Sequence, residues 1–157
     1  MKCGFGELTI LDTIHYASLP SCEVKLQDED LMKLANAPGG KGYTRTPLLG
    51  LVALQEAILS ARLTKRQIQD AGLFSATTTG GIREFERHFN DLLDLSKEGA
   101  FAQFADTANP GEHCERMADA SGIRGYVATI STACSSSANS IIQGGQMIRN
   151  NLLDVAI

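Results

Sequence analysis

From Ser135 to Ile148 the chain carries no charged residue, while apolar and small side chains recur there at helical spacing. A helix with so little charge is usually enclosed by neighbouring elements on most of its sides. Gly144 and Gly145 lie next to each other within this stretch, and a helical glycine costs roughly 1 kcal/mol relative to alanine. Such a cost is tolerated where another element packs very closely. We therefore predict a buried helix here.

Strand-like and helix-like segments alternate along the rest of the chain. Helices are predicted over residues 48–63, 82–97 and 110–120, with a short one after a capping-box pattern at Thr64 and Gln67, and strands over 73–79, 126–131 and 152–157. This alternation indicates an α/β fold with a largely parallel sheet.

Local signals predict where two of these helices begin and end. Thr46 is a good N-cap and Pro47 suits the first helical position of the first long helix. That helix is apolar on nearly every side, which favours burial. Asn109 should cap the helix that precedes the second strand, and Gly122 should end it.

Composition narrows the class of protein. The chain has 157 residues, 43% of them hydrophobic and 20% charged, which fits one soluble domain spanning residues 1–157. A net charge of −4 offers no general attraction to nucleic acid. No stretch is apolar enough to span a membrane, and the start at Met1 lacks the apolar core of a signal peptide, so we expect a cytoplasmic protein.

The four cysteines are Cys3, Cys22, Cys114 and Cys134, at wide and irregular spacings. The absence of a C-x-x-C pair argues against a zinc site or a thioredoxin-like centre, and we expect no metal. In a reducing compartment the simplest interpretation is free thiols that are mostly buried and inert.

Cys134 is the candidate nucleophile, because it lies where a predicted strand runs directly into the uncharged helix. The positive end of a helix favours a thiolate, and the backbone N–H of Cys134 could donate to the oxyanion of an acyl transfer. The alternative is a small buried hydrophobe, which a lone cysteine more often is. A nucleophile also needs a partner, and none of His15, His88 and His113 is marked by the sequence as that partner.

Three segments together resemble one family. The run T-I-S-T-A-C-S-S-S-A-N-S-I at 129–141 is similar to the active-site cysteine motif of the condensing enzymes, β-ketoacyl-acyl-carrier-protein synthases I and II and the related polyketide ketosynthases. The residues G-I-R-G at 122–125 resemble the G-L-R-G of that family, and 74–81 resemble its small-residue strand ending in two glycines. The resemblance implies a thiolase-like fold of two similar α/β halves, usually in a homodimer.

The resemblance also implies a reaction and a set of residues. Cys134 would accept an acyl group from the phosphopantetheine of an acyl-carrier protein, and decarboxylation of malonyl-carrier protein would then lengthen the chain by two carbons, in fatty-acid or polyketide-type synthesis. Thr79 would border the acyl pocket, and Phe104 would reach the pocket of the partner subunit. Lys41 and Arg45 would contact the acidic carrier protein, or else are simply solvated surface charges. No other cofactor is implied.

Parts of the family pattern have no counterpart here. The resemblance assigns the two catalytic histidines, a lysine and the second oxyanion donor to a carboxy-terminal half, and the opening strand of the fold is not recognisable. We therefore expect only the first of the two halves, truncated inside a strand and inactive alone. Two alternatives stay open: a chain-length-factor type partner of a ketosynthase, in which the cysteine is typically replaced, and an unrelated cysteine hydrolase, which needs a nearby histidine.

Overall fold

The computed structural model describes residues 5–15, 18–39 and 41–157. The helices are α1 (Asp28–Leu34), α2 (Arg45–Ser60), α3 (Lys65–Asp70), α4 (Ile82–Leu93), α5 (Glu112–Ser121) and α6 (Ser136–Arg149), the strands are β1 (Leu73–Ala76) and β2 (Val127–Ile130), and 3₁₀ segments span Ala100–Ala108 and Ala133–Ser135. The predictions made for Met1 and Cys3 concern positions outside the described residues.

β1 and β2 form a parallel pair in which Leu73 lies opposite Val127 and Ala76 opposite Ile130. The other edge of β1 receives residues 155–157, since the backbone N–H of Phe74 donates to the carbonyl of Ile157 at 2.8 Å. Only this last part of the predicted strand at 152–157 pairs with the sheet. A small parallel sheet among helices agrees with the predicted α/β class.

Helices cover both faces of the sheet. α6 packs on the face that carries Phe74, and α5 packs on the opposite face, which carries Leu73. α2 lies behind α5, and α1 lies behind α2. The main core forms between these elements from side chains that are almost fully buried: Leu31, Leu48, Leu51, Leu54, Leu73, Cys114, Met117 and Ile123.

Two elements, β1 and α4, end earlier in the sequence than hydrophobic periodicity predicts. Polar side chains at their ends explain the difference. β1 stops at Ala76 rather than at residue 79, because Thr77 Oγ1 accepts hydrogen bonds from the N–H groups of Thr79 and Gly80. α4 stops at Leu93 rather than at residue 97, where the carboxylate of Asp94 accepts from the N–H of Ser96. Such local bonds compete with the strand and helix ladders.

The predicted caps are partly right. The capping box of Thr64 and Gln67 is present, and Gly122 ends α5 in the left-handed conformation with φ +74°. Thr46 does not cap α2, which begins two residues earlier than predicted, after Thr44. The Thr46 hydroxyl donates instead to the carbonyl of Gly80. The N-cap of α5 is Gly111 rather than the predicted Asn109.

The prediction that the first long helix and the uncharged helix are both enclosed is wrong for this chain. α2 buries one face and leaves Leu59 76% exposed. α6 buries only Ser136, Ser140 and Gly144, while Ile141 is 77% exposed. The reason is that, in the part of the chain the structure describes, α6 packs only on the sheet side.

The two adjacent glycines of α6 differ in their surroundings. A Cβ added to Gly144 would lie 3.2 Å from the Cβ of Ala156 and 3.4 Å from the Phe74 ring. Gly144 therefore permits the close approach of α6 to the sheet, as the sequence predicts. A Cβ added to Gly145 would meet nothing within 4 Å, so close packing does not explain that residue in this chain.

Candidate active site

The candidate site lies at the carboxyl edge of the parallel sheet. Because β1 and β2 run in the same direction and in register, residues 77–81 and 131–134 leave the sheet at the same edge. Ligands of open parallel sheets bind in crevices at this edge. Thr79, which is exposed, and Cys134 are thus carried by the loops that follow two adjacent strands.

Cys134 lies in the 3₁₀ turn Ala133–Ser135, four residues after the end of β2 and directly before α6. Its thiol is free and exposed. The predicted placement of this cysteine between a strand and the start of a helix is therefore confirmed. Of the thiols in the described residues Cys22 is also exposed and only Cys114 is buried, so the expectation of mostly buried thiols is wrong.

The turn at Cys134 has an unusual backbone. Ala133 has φ +52°, in the left-handed region, which costs a residue with a Cβ roughly 1–2 kcal/mol. Ser136 spans this turn: its Oγ accepts from the N–H of Thr132 at 2.9 Å and donates to the carbonyl of Ala133 at 2.7 Å. Asn139 Nδ2 donates to Thr132 Oγ1 at 2.9 Å. These bonds hold the two residues that precede Cys134.

The backbone N–H of Cys134 has no hydrogen-bond partner among the residues that the structure describes. It lies beside an exposed thiol at the amino-terminal end of a 14-residue helix. An unpaired donor next to a nucleophile is the arrangement that stabilises the oxyanion of an acyl-transfer intermediate. The turn can thus supply both an attacking sulfur and one donor.

None of the three histidines is bonded to Cys134. His113 is 3% exposed on α5, across the sheet from α6. Its Nδ1–H donates to the carbonyl of Pro110, since a carbonyl can only accept, and Nε2 then accepts from the hydroxyl of Ser75 at 2.7 Å. His88 stacks on Phe104, and His15 is exposed. The sequence marks no histidine as a partner, and the contacts agree.

The buried His113 makes stability depend on pH. Burial lowers the pKa of His113, although its bond to Pro110 opposes this shift by raising the pKa. The unfolded chain therefore binds more protons, so the free energy of unfolding should fall as pH drops through about 6.5. We expect chemical denaturation between pH 7.5 and 5 to show a smaller fall for His113→Gln than for the wild type. His88→Gln is the control that keeps the wild-type fall; an unchanged slope in His113→Gln would contradict the assignment.

Phe104 lies in the 3₁₀ segment Ala100–Ala108, which packs on α4 and which hydrophobic periodicity did not predict. Its ring is stacked on His88 with centroids 5.2 Å apart and planes 7° from parallel. The ring is half-buried. Its predicted place in an acyl pocket stays a prediction.

Arg45 is engaged inside the chain. Its guanidinium pairs with the Asp28 carboxylate at 2.7 Å and donates to the carbonyls of Leu26 and Val24 at 2.9 and 2.6 Å. The side chain is 22% exposed. Arg45 therefore fastens the segment before α1 to the start of α2, and most of its donors are occupied.

Lys41, the other predicted docking cation, is exposed but stands in acidic surroundings. The cleft beside it is lined by Gln103, Asp106, Glu112, Glu115, Arg116 and Asp119. Four carboxylates against two cations disfavour the approach of an acidic partner at this point. The geometry of Lys41 and Arg45 thus does not favour their predicted docking role.

Two absences within the described residues bear on the class of site. No group of three or more histidine, cysteine or acidic side chains is arranged to hold a metal ion in residues 5–15, 18–39 and 41–157. Within the same residues, no helix combines the length and apolarity needed to cross a membrane.

A family model decides the relationship of this chain to known proteins. The model described as Beta-ketoacyl synthase, N-terminal domain, matches residues 44–157. The chain belongs to the beta-ketoacyl synthase family. The match runs from the N-cap of α2 to the end of the chain and includes Cys134, so the family assigned from the three sequence motifs is confirmed. No curated protein matches the chain.

Membership places the chain among condensing enzymes of the acyltransferase type. The matched region contains both strands, the helices on each face of the sheet and the whole turn from Ser131 to Ser136. Residues 5–43, including α1 and the segment that Arg45 fastens, lie before the match. The candidate site is thus formed entirely by the family domain.

Proposed function

We propose that the chain is the amino-terminal part of a 3-oxoacyl-acyl-carrier-protein synthase and that Cys134 is its acyl-accepting nucleophile. The observation that carries this proposal is the exposed Cys134 thiol beside its own unpaired N–H, in a turn between β2 and α6. The family match over this turn supports it. A merely structural cysteine would have no need of either exposure or a held turn.

The first proposed step is acyl transfer. The Cys134 thiolate attacks the carbonyl carbon of an acyl thioester carried on phosphopantetheine, and the Cys134 N–H donates to the oxyanion of the tetrahedral intermediate. The carbon–sulfur bond to the carrier then breaks, and the departing carrier thiolate takes up a proton. The products are an acyl thioester on Cys134 and the free carrier thiol.

The second proposed step is a decarboxylative condensation. Malonyl-carrier protein loses carbon dioxide, the resulting carbanion attacks the Cys134 thioester, and the Cys134 thiolate leaves. The product is a 3-oxoacyl group on the carrier, longer by two carbons, as in fatty-acid or polyketide-type synthesis. The groups that stabilise the carbanion belong, by the family resemblance, to a second α/β half.

Two observations support the finer assignments of this proposal. Thr79 leaves the same sheet edge as Cys134, which supports its place at the border of the acyl pocket. The exposed apolar side chains of α6, Ile141 and Ile142, support the packing of a second α/β half or a partner subunit on that helix. Phe104 is proposed to reach the pocket across such an interface in a dimer.

The acyl-carrier protein is the proposed partner, and the two predicted docking cations differ in how free they are to meet it. Arg45 is engaged by Asp28 and backbone carbonyls, and Lys41 faces carboxylates. Substituting Lys41 therefore tests a docking role more directly than substituting Arg45, whose loss would also release the segment before α1.

The proposal is tested by locating the acyl group. The purified protein is incubated with hexanoyl-N-acetylcysteamine, a soluble mimic of acyl phosphopantetheine, and the adducts are mapped by peptide mass spectrometry. We expect a single acyl group on Cys134, with Cys22, which is also exposed, serving as an internal control. Preferential acylation of Cys22, Cys114 or Cys3, or no thioester at Cys134, would overturn the assignment and leave the non-catalytic chain-length-factor role.

A further inference from the structure

The serine that follows the turn is placed differently from the other serines of the motif. Ser136 is 5% exposed, and its hydroxyl both accepts from the Thr132 N–H and donates to the Ala133 carbonyl. Ser137 is exposed and forms no side-chain hydrogen bond among the described residues. Ser140 is also buried, at 7% exposed, but its hydroxyl donates only to the carbonyl one helical turn earlier, that of Ser136.

We propose that Ser136 is a positioning residue for acyl transfer, which fixes the Cys134 N–H relative to the Cys134 thiol. This inference rests on the proposed function of Cys134. The hydroxyl joins the two residues before Cys134 across the left-handed Ala133, at φ +52°. The direction of the Cys134 N–H is set by the peptide plane that joins Ala133 to Cys134, and the carbonyl of that same plane accepts the Ser136 bond.

The other side chains of the local network hold Thr132 rather than that plane, whose carbonyl also accepts from the backbone N–H of Ser136. Ser135 Oγ donates to the Thr132 carbonyl at 2.7 Å, and Asn139 donates to the Thr132 hydroxyl. Of the side chains in the described residues, Ser136 alone donates to the Ala133 carbonyl. If the Ser136 hydroxyl is removed, the Thr132 N–H loses its partner and the Ala133 carbonyl keeps only the bond from the Ser136 backbone N–H.

Two reactions of the Cys134 thiol should respond differently to the loss of the Ser136 hydroxyl. Acylation by a thioester passes through an oxyanion and depends on the direction of the Cys134 N–H, whereas alkylation by iodoacetamide forms no oxyanion and depends on the thiol alone. Loss of one oxyanion donor lowers rates by about 10²–10³-fold. A donor that is only misdirected should cost less, so we expect Ser136→Ala to slow acylation about 10- to 100-fold and alkylation less than about threefold.

The experiment measures both second-order rate constants at Cys134, with hexanoyl-N-acetylcysteamine and with iodoacetamide, by peptide mass spectrometry. Ser137→Ala and Ser140→Ala are the controls, an exposed and a buried serine of the same helix, and both should keep the wild-type ratio of the two rates. Ser136→Thr and Ser136→Val have nearly the same shape. Ser136→Thr should keep the wild-type ratio of acylation to alkylation rates, and Ser136→Val should lower it. This pair tests the role of the hydroxyl even if Ser136→Ala does not fold.

The role of Cys134 as nucleophile and the role of Ser136 in positioning are contradicted by different results. If the wild type forms no thioester at Cys134, the proposed function fails and the inference fails with it. If the wild type is acylated at Cys134 but the serine variants keep the wild-type ratio, only the inference is overturned. Equal slowing of both reactions would show a general packing role for Ser136 and would also overturn it.

Discussion

Replacing Cys134 with alanine is expected to lower the rate of acyl uptake by the protein at least about a thousandfold, because covalent catalysis loses its only attacking atom. The Cys134 side chain is exposed in the turn between β2 and α6 and is not part of the main core. Alanine at this position should therefore leave the fold unchanged. The measurement is the initial rate of thioester formation from hexanoyl-N-acetylcysteamine, followed by intact-protein mass.

Cys22→Ala is the matched control for this prediction. Cys22 is free and exposed like Cys134, but it lies in the segment before α1 and outside the family match. Its removal should change the rate less than about twofold, as expected for a surface substitution away from the reacting groups. Acyl uptake that persists within tenfold of the wild type in Cys134→Ala, or that is lost in Cys22→Ala, would contradict the assignment of the nucleophile.

The regular elements inside the family domain could be predicted from sequence because their signals are local. The capping box at Thr64 and the glycine at 122 each specify a helix end through contacts within a few residues. The 3₁₀ segment Ala100–Ala108 was missed because it lacks the 3.6-residue period and is held by packing on α4. α1 was missed for a related reason, since it has only seven residues.

The candidate site was only partly predictable. A strand running into an uncharged helix was enough to place Cys134 at the turn, but an alanine in the left-handed region carries no sequence signal. The Ser75–His113 bond joins residues 38 positions apart and the Arg45–Asp28 pair joins residues 17 apart. Distant pairings of this kind are set by tertiary packing, which periodicity does not reveal.

The exposure of one side of α6 has a physical explanation that agrees with its uncharged composition. A helix without charges is selected for contact on several sides, yet in this chain only its small-residue side, with Ser140 and Gly144, meets the sheet. The outer side leaves Ile141 77% exposed and Ile142 54% exposed. Apolar side chains grouped on one face normally mark a contact with another domain or subunit.

The polypeptide of residues 1–157 is not expected to catalyse condensation by itself. Formation of the carbanion requires positioned donors that stabilise an enolate-like transition state, and loss of a single oxyanion donor already costs about 3–4 kcal/mol. Neither His113 nor His88 is placed to replace them. His113 has both ring nitrogens occupied across the sheet from α6, and His88 is stacked on Phe104. Several missing donors should lower the rate by several powers of ten.

The assay follows the conversion of radiolabelled malonyl-carrier protein to 3-oxoacyl-carrier protein by the purified polypeptide, with intact mass to verify that it contains residues 1–157 and nothing more. Cys134→Ala sets the background rate. We expect the wild-type polypeptide to form 3-oxoacyl product no faster than this variant, even where its Cys134 is acylated, because acylation and condensation need different groups. Product formation well above the Cys134→Ala background would show that residues 1–157 already contain the groups that stabilise the carbanion, and the division of the active site between two halves would then be wrong for this protein.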